Sequence, residues 1–269
     1  MTGGRESGAA SAPVGGHPIA AQPGIPPEEI ERKEPGEAVR FEVTADLPVP
    51  AYLQETYWWA YLHPRGVRFF ERQWIVNLIL WGNFAELRDA ALAEIDASCG
   101  GRTLQVACVY GDFTPILASR IAPTGRLDVV DVAPVQLTNL SRKLGAASPQ
   151  VFLHHQDSTR LEFADGTFDN VVVFFLLHEQ PEEARTRTVH EAVRVTRPQG
   201  RVIFVDYHQP YLTNPFRYVM IPVLASLEPF ALDMWQREIV DWVPPPWRPS
   251  DCRKETYFGG LYQKVVMVR

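Results

Sequence analysis

The chain has 269 residues, of which 46% are hydrophobic and 22% are charged, a composition that suits a globular protein with a large core. Its longest uninterrupted apolar run covers residues 171–177, far short of the roughly 20 residues that cross a bilayer. We expect no secretory signal at the start of the chain. Three cysteines without a CxxC pair exclude a disulfide scaffold and a cysteine-based zinc site, and the net charge of −6 predicts no nucleic-acid partner.

Composition divides the chain into three predicted segments. Residues 1–38 are rich in proline and glycine and lack aromatic side chains, so they cannot bury enough apolar surface to offset the entropy of ordering. We predict a disordered tail there. Residues 39–95 form an aromatic helical segment, and residues 96–269 form the main domain.

The aromatic segment has a helical repeat of apolar residues. Val67, Phe70, Trp74 and Leu78 recur at helical spacing, which predicts one or two amphipathic helices. Two interpretations stay open. The aromatic side chains pack on the main domain, or they form a lid over a lipophilic substrate or a helix that lies on a membrane surface.

Strands and helices alternate over residues 101–206. Strands are predicted at 103–109, 127–132, 151–154, 171–177 and 202–206, and helices near 115–121, 133–144 and 181–195. This alternation is typical of an α/β fold with a doubly wound, mostly parallel sheet, in which ligands bind beyond the carboxyl ends of the strands. A turn is predicted at 198–200, and a glycine turn with a final strand at 259–268.

Acidic residues follow the second and third predicted strands. Asp131 stands about 20 residues after Gly111, where a carboxylate can bind both ribose hydroxyls of a nucleoside. The alternative is a helix cap before Pro134. Asp157 could accept a hydrogen bond from an adenine amino group, and its alternative is a turn or cap.

The motifs after the strands occur in a recognisable order. They read QVACVYG at 105–111, VVDVAP at 129–134, HQDS at 155–158, FDNVVVFFLLHE at 168–179 and RPQG at 197–200. In this order they resemble the class I S-adenosylmethionine (SAM) methyltransferases. The resemblance implies a Rossmann-like fold, SAM as co-substrate, and a set of cofactor-binding residues: Gln105, Ala107, Gly111, Asp131, Val132, Asp157, Ser158 and Phe174.

The first motif departs from the family pattern of an acidic residue followed by GxGxG. Gln105 replaces the acidic residue, Ala107 and Val109 replace two glycines, and Gly111 remains. Either the cofactor is lost, or it is held in a different pose. We predict that Tyr110 and Asp112 lie beside the sulfonium and act in catalysis together with His178.

Longer stretches resemble a more specific family. QVACVYGDFTP, VVVFFLLHEQP, FVDYH and KETYFGGLYQKVV resemble the RquA family of rhodoquinone biosynthesis proteins over residues 50–269. The resemblance implies that ubiquinone becomes rhodoquinone by exchange of a ring methoxy group for an amino group, with SAM as amino donor and manganese in support. The alternatives are an ordinary SAM-dependent methyltransferase of quinones or other small molecules, and an inactive scaffold.

A site for such a metal is available at the predicted strand ends. His178 and Glu179 follow the fourth strand, and Asp206 and His208 follow the fifth. Carboxylate and imidazole groups suit Mn²⁺, which could polarise the quinone ring. We predict His178, Glu179 and Asp206 as ligands; the alternative for His178 is simple packing.

The expected substrate also predicts the location of the protein. Ubiquinone resides in the bilayer, so we expect a cytoplasmic protein bound peripherally to the inner face of the cytoplasmic membrane. The aromatic segment and its arginines, Arg65, Arg68 and Arg72, would make the contact.

Overall fold

The computed structural model describes residues 40–42, 47–95, 101–145, 150–247 and 249–269. All of these belong to one compact unit, residues 36–269. The tail predicted over residues 1–38 lies outside the described residues.

One sheet organises the described part of the chain. Its strands are β1 (Arg40–Glu42), β2 (Arg102–Val106), β3 (Arg126–Asp131), β4 (Val151–His155), β5 (Phe168–Phe174), β6 (Thr196–Tyr207), β7 (Asp251–Tyr257) and β8 (Tyr262–Val268). The spatial order is β1-β4-β3-β2-β5-β6-β8-β7, with parallel pairing from β1 to β6 and antiparallel pairing of β8 with both neighbours. The prediction of a doubly wound, mostly parallel sheet is confirmed. The strand order reverses at β2, so the loop that follows β2 lies where ligands bind in such folds.

Eight α-helices are described. They are α1 (Ala51–Thr56), α2 (Pro64–Phe70), α3 (Gln73–Ile79), α4 (Phe84–Leu92), α5 (Phe113–Arg120), α6 (Pro134–Leu144), α7 (Glu182–Val195) and α8 (Phe216–Leu227). A π-helical turn, Trp58–Leu62, joins α1 to α2, and a 3₁₀ turn, Leu177–Glu179, follows β5. The helices α5, α6 and α7 agree with the predicted ones to within two residues at each end. Among the described residues, no helix has the length and apolar character needed to cross a bilayer.

The core consists of two layers, one on each face of the sheet. Successive residues of β5 alternate between them, with Val171 and Val173 in one layer and Val172 and Phe174 in the other. This alternation follows from the two-residue repeat of a strand. Helices α4, α5 and α6 cover one face and α7 the other, which leaves the strand ends free to carry side chains for binding.

Two sequence predictions differ from the structure near the end of the sheet. The turn predicted at 198–200 lies inside β6, where the pairing with β5 shifts register and Gln199 has a φ of 67°. Strand β7 was not predicted. Its residues DCRKETY lack apolar alternation because β7 is an edge strand, and charged side chains are common there.

The aromatic segment forms four short α-helices instead of one or two longer ones. Pro64 starts α2, since proline fits the first position of a helix. Trp81 and Gly82 both have positive φ angles, which ends α3 before α4 begins. The predicted apolar stripe is divided: Val67 is buried, whereas Trp74 and Leu78 are 62% and 66% exposed.

Candidate functional site

A cavity of about 380 Å³ lies at the carboxyl ends of the parallel strands, within the size range of small-molecule sites. Loops after β2 to β5 and the last residue of β6 form its floor. The aromatic segment covers it as a roof, together with Leu227 and Glu228 at the end of α8. The roof side chains are Tyr52, Leu53, Tyr57, Trp59, Ala60, Tyr61, Phe70, Val76, Ile79, Leu80 and Phe84.

Most of the predicted site residues line this cavity. They are Ala107, Tyr110, Asp131, Val132, Asp157, Ser158, Phe174, His178 and Glu179. Four predicted residues do not line it: Gln105, Gly111, Asp112 and Asp206.

Asp131 ends β3 and presents its carboxylate to the cavity. One oxygen accepts a hydrogen bond from the backbone N–H of Cys108 at 2.7 Å, and the other from that of Ala133 at 2.8 Å. Burial raises the pKa of this carboxyl above its ordinary value, partly offset by these two backbone donors. Each oxygen can still accept one more hydrogen bond from a hydroxyl group. Asp131 therefore fixes the loop and can also bind two neighbouring hydroxyls.

Asp157 and Ser158 lie beside Asp131, after β4. One Asp157 oxygen accepts from the backbone N–H of Thr159 at 2.8 Å, which is the turn given above as the alternative for this residue, and Asp157 also lines the cavity. The Ser158 hydroxyl lies 2.9 Å from the Thr188 hydroxyl and accepts from Gln180 at 3.1 Å.

The loop after β2 keeps an unusual backbone shape without its expected glycine. Ala107 has a φ of 69°, a left-handed conformation that costs about 1–2 kcal/mol in a residue with a Cβ atom. Phe175, which also lines the cavity, has a φ of 52°. The prediction for Gln105 is corrected: its side chain is fully buried beneath the loop and donates to the Ala107 carbonyl at 2.9 Å. Gln105 therefore shapes the loop from below.

Gly111 and Asp112 contact the roof helices instead of the cavity. Gly111 has a φ of 77°, and a Cβ atom there would lie 2.7 Å from Oε1 of Gln73. Both Asp112 oxygens lie 2.7 Å from the Arg88 guanidinium. The predictions of cofactor contact for Gly111 and of catalysis for Asp112 are therefore corrected, because both residues attach the loop to α3 and α4.

Tyr110 lines the cavity, but its hydroxyl is already engaged. It donates to the Ala60 carbonyl at 2.6 Å and accepts from Gln136 at 2.7 Å. Its ring stacks on Tyr61 with centroids 5.7 Å apart and 7° between the planes. Tyr110 thus holds the roof to the strand ends, and its hydroxyl is not free to bind a ligand.

His178 is a buried imidazole that lines the cavity. Its Nδ1 lies 2.9 Å from Oδ1 of Asp206, a carboxylate that is 1% exposed. Burial alone would lower the pKa of His178, but the charges of Asp206, Glu228 and Glu179 outweigh burial and raise it to about 9. Asp206 therefore orients the imidazole and favours its protonated form, while Nε2 of His178 lies 3.8 Å from Oε1 of Glu179.

Glu179 and Glu228 complete an acidic cluster around His178. Oε1 of Glu179 lies 3.8 Å from Nε2 of His178 and accepts a hydrogen bond from the Tyr61 hydroxyl. Burial raises the pKa of both carboxyls, and each lies near other carboxylates that add to the effect. Sequence reasoning missed Glu228, since it follows α8 in a region without a motif. It missed Tyr61 as well, whose only signal was its place among many aromatic residues.

The predicted ligand set does not fit a metal ion. Asp206 accepts from the backbone N–H groups of Leu177 at 2.8 Å and Tyr207 at 2.7 Å as well as from His178, so its oxygens are occupied behind the cavity wall. Within the described ranges, no group of three or more His, Cys, Asp or Glu side chains has the arrangement of a metal site. The prediction of His178, Glu179 and Asp206 as a ligand triad is corrected for Asp206, which positions His178.

Comparison with known proteins also indicates a methyltransferase-like site. Residues 103–200 match the family model described as "Methyltransferase domain". Over these residues the chain is similar to methyltransferases. The chain is 31% identical over 143 residues to a demethylmenaquinone methyltransferase of Bacillus cytotoxicus, covering 53% of this chain and 59% of that protein. The same enzyme of Bacillus licheniformis is 31% identical over 158 residues, covering 56% and 66%.

The chain also has the fold of a solved methyltransferase structure. The methyltransferase domain of bacterial CtHen1-CN superposes with a TM-score of 0.50 at 14% identity, covering 69% of this chain and 99% of that one. The chain spans 59% and 66% of the length of the two curated relatives, the demethylmenaquinone methyltransferases to which it is similar in sequence.

Proposed function

We propose that this protein transfers a methyl group from SAM to a hydroxylated ring of the quinone class or a similar small apolar molecule. The observation that carries the proposal is that one cavity has two chemically different parts to its lining. Carboxylates suited to a nucleoside line one part, and a buried His–Glu cluster under an aromatic roof lines the other.

The nucleoside part follows from Asp131 and Asp157. Asp131 offers one further lone pair on each oxygen to ribose hydroxyls, and such charge-assisted hydrogen bonds are stronger than neutral ones. Val132 and Phe174 provide apolar surface beside it. When bound, SAM supplies an electrophilic methyl group on a sulfonium.

The opposite part of the cavity can move a proton. A ring hydroxyl becomes a better nucleophile as it loses its proton, and a buried carboxylate with a raised pKa, such as Glu179, is a stronger base than an exposed one. The imidazolium of His178, held by Asp206, can donate from Nε2 to a ring oxygen that gains negative charge. Nε2 of His178 and Oε1 of Glu179 are 3.8 Å apart, so both groups can act on one bound ring.

The substrate class is inferred from the walls. Eight of the eleven roof residues named above have aliphatic, phenylalanine or tryptophan side chains, and the other three are tyrosines. Such walls favour a flat apolar ring over a charged metabolite. The two curated relatives described above are named demethylmenaquinone methyltransferases, which supports a quinone.

Exchange of a ring methoxy group for an amino group of SAM, the rhodoquinone reaction, is a second candidate. The observation that favours it is the loop after β2, where Gln105 replaces the acidic residue and Ala107 keeps a left-handed backbone in place of glycine. A loop so altered would hold the amino acid part of SAM differently. The residues around His178 do not form the manganese site that the resemblance implies, so no step is assigned to a metal.

Product analysis separates the two candidates. The purified protein is incubated with SAM and either demethylmenaquinol or ubiquinone, with and without Mn²⁺, and the quinone is analysed by mass spectrometry. We expect a product that has gained one methyl group and a reaction that is lost in His178→Ala. A product in which amino replaces methoxy would favour the second candidate, and absence of SAM binding by calorimetry would overturn both.

A further inference from the structure

The strongly exposed large apolar side chains are concentrated in two segments. Across the ranges that the structure describes, residues 58–81 and 211–227 hold every one of them. They are Trp58, Trp59, Phe69, Trp74, Leu78, Ile79, Trp81, Tyr211, Leu212, Tyr218, Val219, Ile221, Val223 and Leu227. We call this set the apolar rim. Large exposed apolar surface in one region is typical of an interaction site.

The two segments of the apolar rim touch each other. The rings of Trp81 and Phe216 lie 4.9 Å apart, and the Trp81 indole N–H donates to the Met220 sulfur at 3.2 Å. The first contact joins the end of α3 to the start of α8. The rim is therefore one surface built from two parts of the chain that are more than 100 residues apart.

The mouth of the cavity opens within this surface. Trp59, Ile79 and Leu227 are 42%, 45% and 54% exposed, and all three also line the cavity. A molecule that enters between them passes directly from the apolar rim to the cavity interior. The rim thus surrounds an entrance and is not an isolated patch.

The charges of the rim are positive although the chain carries a net charge of −6. Residues 58–81 contain Arg65, Arg68 and Arg72 and a single acidic residue, Glu71, which is paired with Lys143 at 2.6 Å. Residues 211–227 contain one arginine and no acidic residue. The Arg72 guanidinium lies 5.6 Å from the centre of the Phe69 ring, so positive charge and exposed apolar surface are adjacent.

We propose that the apolar rim docks on the surface of a bilayer that contains anionic lipid, with the cavity mouth facing the lipid. Tryptophan and tyrosine side chains suit the headgroup level, and aliphatic side chains can enter the outer acyl region. Arginines beside them attract anionic headgroups. An apolar substrate would then pass from lipid to cavity without crossing water. The proposal does not depend on the reaction, since docking needs neither SAM nor a quinone.

Flotation of the full chain with vesicles tests the docking. We expect binding to vesicles of phosphatidylcholine with about 30% phosphatidylglycerol, an anionic mixture, and much weaker binding to pure phosphatidylcholine. Arg65→Gln with Arg68→Gln should weaken binding to anionic vesicles roughly tenfold or more. Arg187→Gln with Arg253→Gln removes the same charge elsewhere and should have little effect.

The apolar contribution is tested separately in each segment. Trp74→Gln with Leu78→Gln changes α3, and Leu212→Gln with Tyr218→Gln changes the second segment. These side chains are 62–75% exposed, so the variants should fold, as circular dichroism can verify. Each pair should weaken binding to anionic vesicles at least roughly tenfold.

Two results would overturn the proposal. One is unchanged vesicle binding in both apolar pairs. The other is a stable dimer in analytical ultracentrifugation without lipid that the same pairs dissociate, because the rim would then be an interface between two copies of the chain. If the parent protein binds no SAM or forms no product, the proposed function is contradicted, but vesicle binding is still expected. The two proposals are therefore tested by different measurements.

Discussion

The Tyr61 hydroxyl donates a hydrogen bond to the carboxylate of Glu179, 118 residues further along the chain. This contact joins the roof of the cavity to the 3₁₀ turn after β5 that carries His178. Nearby, Tyr110 donates to the Ala60 carbonyl at 2.6 Å and fixes the same part of the roof to the loop after β2. Polar contacts thus attach the roof to two loops that form the floor. One of these contacts, the hydrogen bond from Tyr61, lowers the pKa of Glu179.

The first prediction concerns this attachment. Tyr61→Phe removes a donor to a buried carboxylate, so the free energy of unfolding should fall by about 2 kcal/mol. Burial raises the pKa of Glu179 and the Tyr61 hydroxyl lowers it, so the variant should raise this pKa further. Urea unfolding and the pH profile of activity measure the two effects.

A matched control for Tyr61→Phe is Tyr211→Phe. The Tyr211 hydroxyl lies 2.7 Å from that of Thr256 on an exposed part of the surface. Its loss should cost less than about 0.5 kcal/mol and leave the pH profile unchanged. Equal losses in both variants would show that Tyr61 contributes only an ordinary surface hydrogen bond.

The second prediction separates two aspartates that the sequence places near the cofactor. Asp131→Ala should weaken SAM binding by about 1.5–3 kcal/mol, the range for hydrogen bonds to a charged group. Asp112→Ala should leave SAM affinity unchanged, because Asp112 pairs with Arg88 away from the cavity. Calorimetry on both folded variants gives the comparison. A larger loss in Asp112→Ala than in Asp131→Ala would reverse the assignment.

The sheet and its three crossover helices could be predicted because their signals are local. Apolar strands such as β5 alternate with amphipathic helices, and a parallel sheet follows from that order. The bounds of β5 were less accurate, because the predicted strand, 171–177, runs into the 3₁₀ turn that follows β5 at 168–174. The position of Asp131 at a strand end could be predicted for the same reason. A carboxyl end of a parallel strand points to the ligand side whatever the loop contains.

Other features depend on contacts between distant residues and could not be predicted. Asp206 and His178 were both recognised, but their distance of 2.9 Å decides that Asp206 orients the imidazole and is not a free ligand. Glu228 follows α8, whose Phe216 and Met220 contact the distant Trp81. The exposed face of α8 has no sequence signal, since Phe216–Leu227 is apolar on most sides and looks like a buried helix.

The third prediction tests why glycine is kept at position 111. Gly111 and Gly82 have φ angles of 77° and 82°, so alanine at either position should cost about 1–2 kcal/mol in backbone strain. A Cβ atom at position 82 meets nothing within 4 Å, whereas one at position 111 lies 2.7 Å from Gln73 Oε1, which accepts from the Asp112 N–H at 3.0 Å. Gly111→Ala should therefore cost more than Gly82→Ala in urea unfolding.

Equal costs for the two glycine variants would mean that Gln73 moves aside freely. Glycine at position 111 would then be needed only for its positive φ angle, and the loop after β2 would not depend on its contact with α3. A second measurement distinguishes the cases, since a displaced Gln73 should also increase proteolytic cleavage near α3 in Gly111→Ala but not in Gly82→Ala.

The last prediction is a pH dependence of stability. The charges of Asp206, Glu228 and Glu179 overcome the opposing effect of burial and raise the pKa of His178 from 6.5 to about 9 in the folded protein. A group with a raised pKa in the folded state stabilises fully below its unfolded pKa and loses that contribution as the pH rises through the folded pKa. The free energy of unfolding should therefore fall between pH 6.5 and pH 9, by on the order of 3 kcal/mol for this group.

The variant His178→Asn isolates this contribution. It keeps a polar side chain beside Asp206 but cannot titrate, so its free energy of unfolding should change less over the same pH range than that of the parent. Glu179, whose pKa is also raised by burial, acts in the same direction and leaves a residual slope. Urea unfolding at pH 6.5, 7.5 and 9 gives the two slopes, and an NMR titration of the His178 ring locates its pKa directly. Parallel stability curves for parent and variant would show that His178 is not protonated in the folded protein, and the imidazolium would then have to be replaced by a neutral imidazole in the proposed proton transfer.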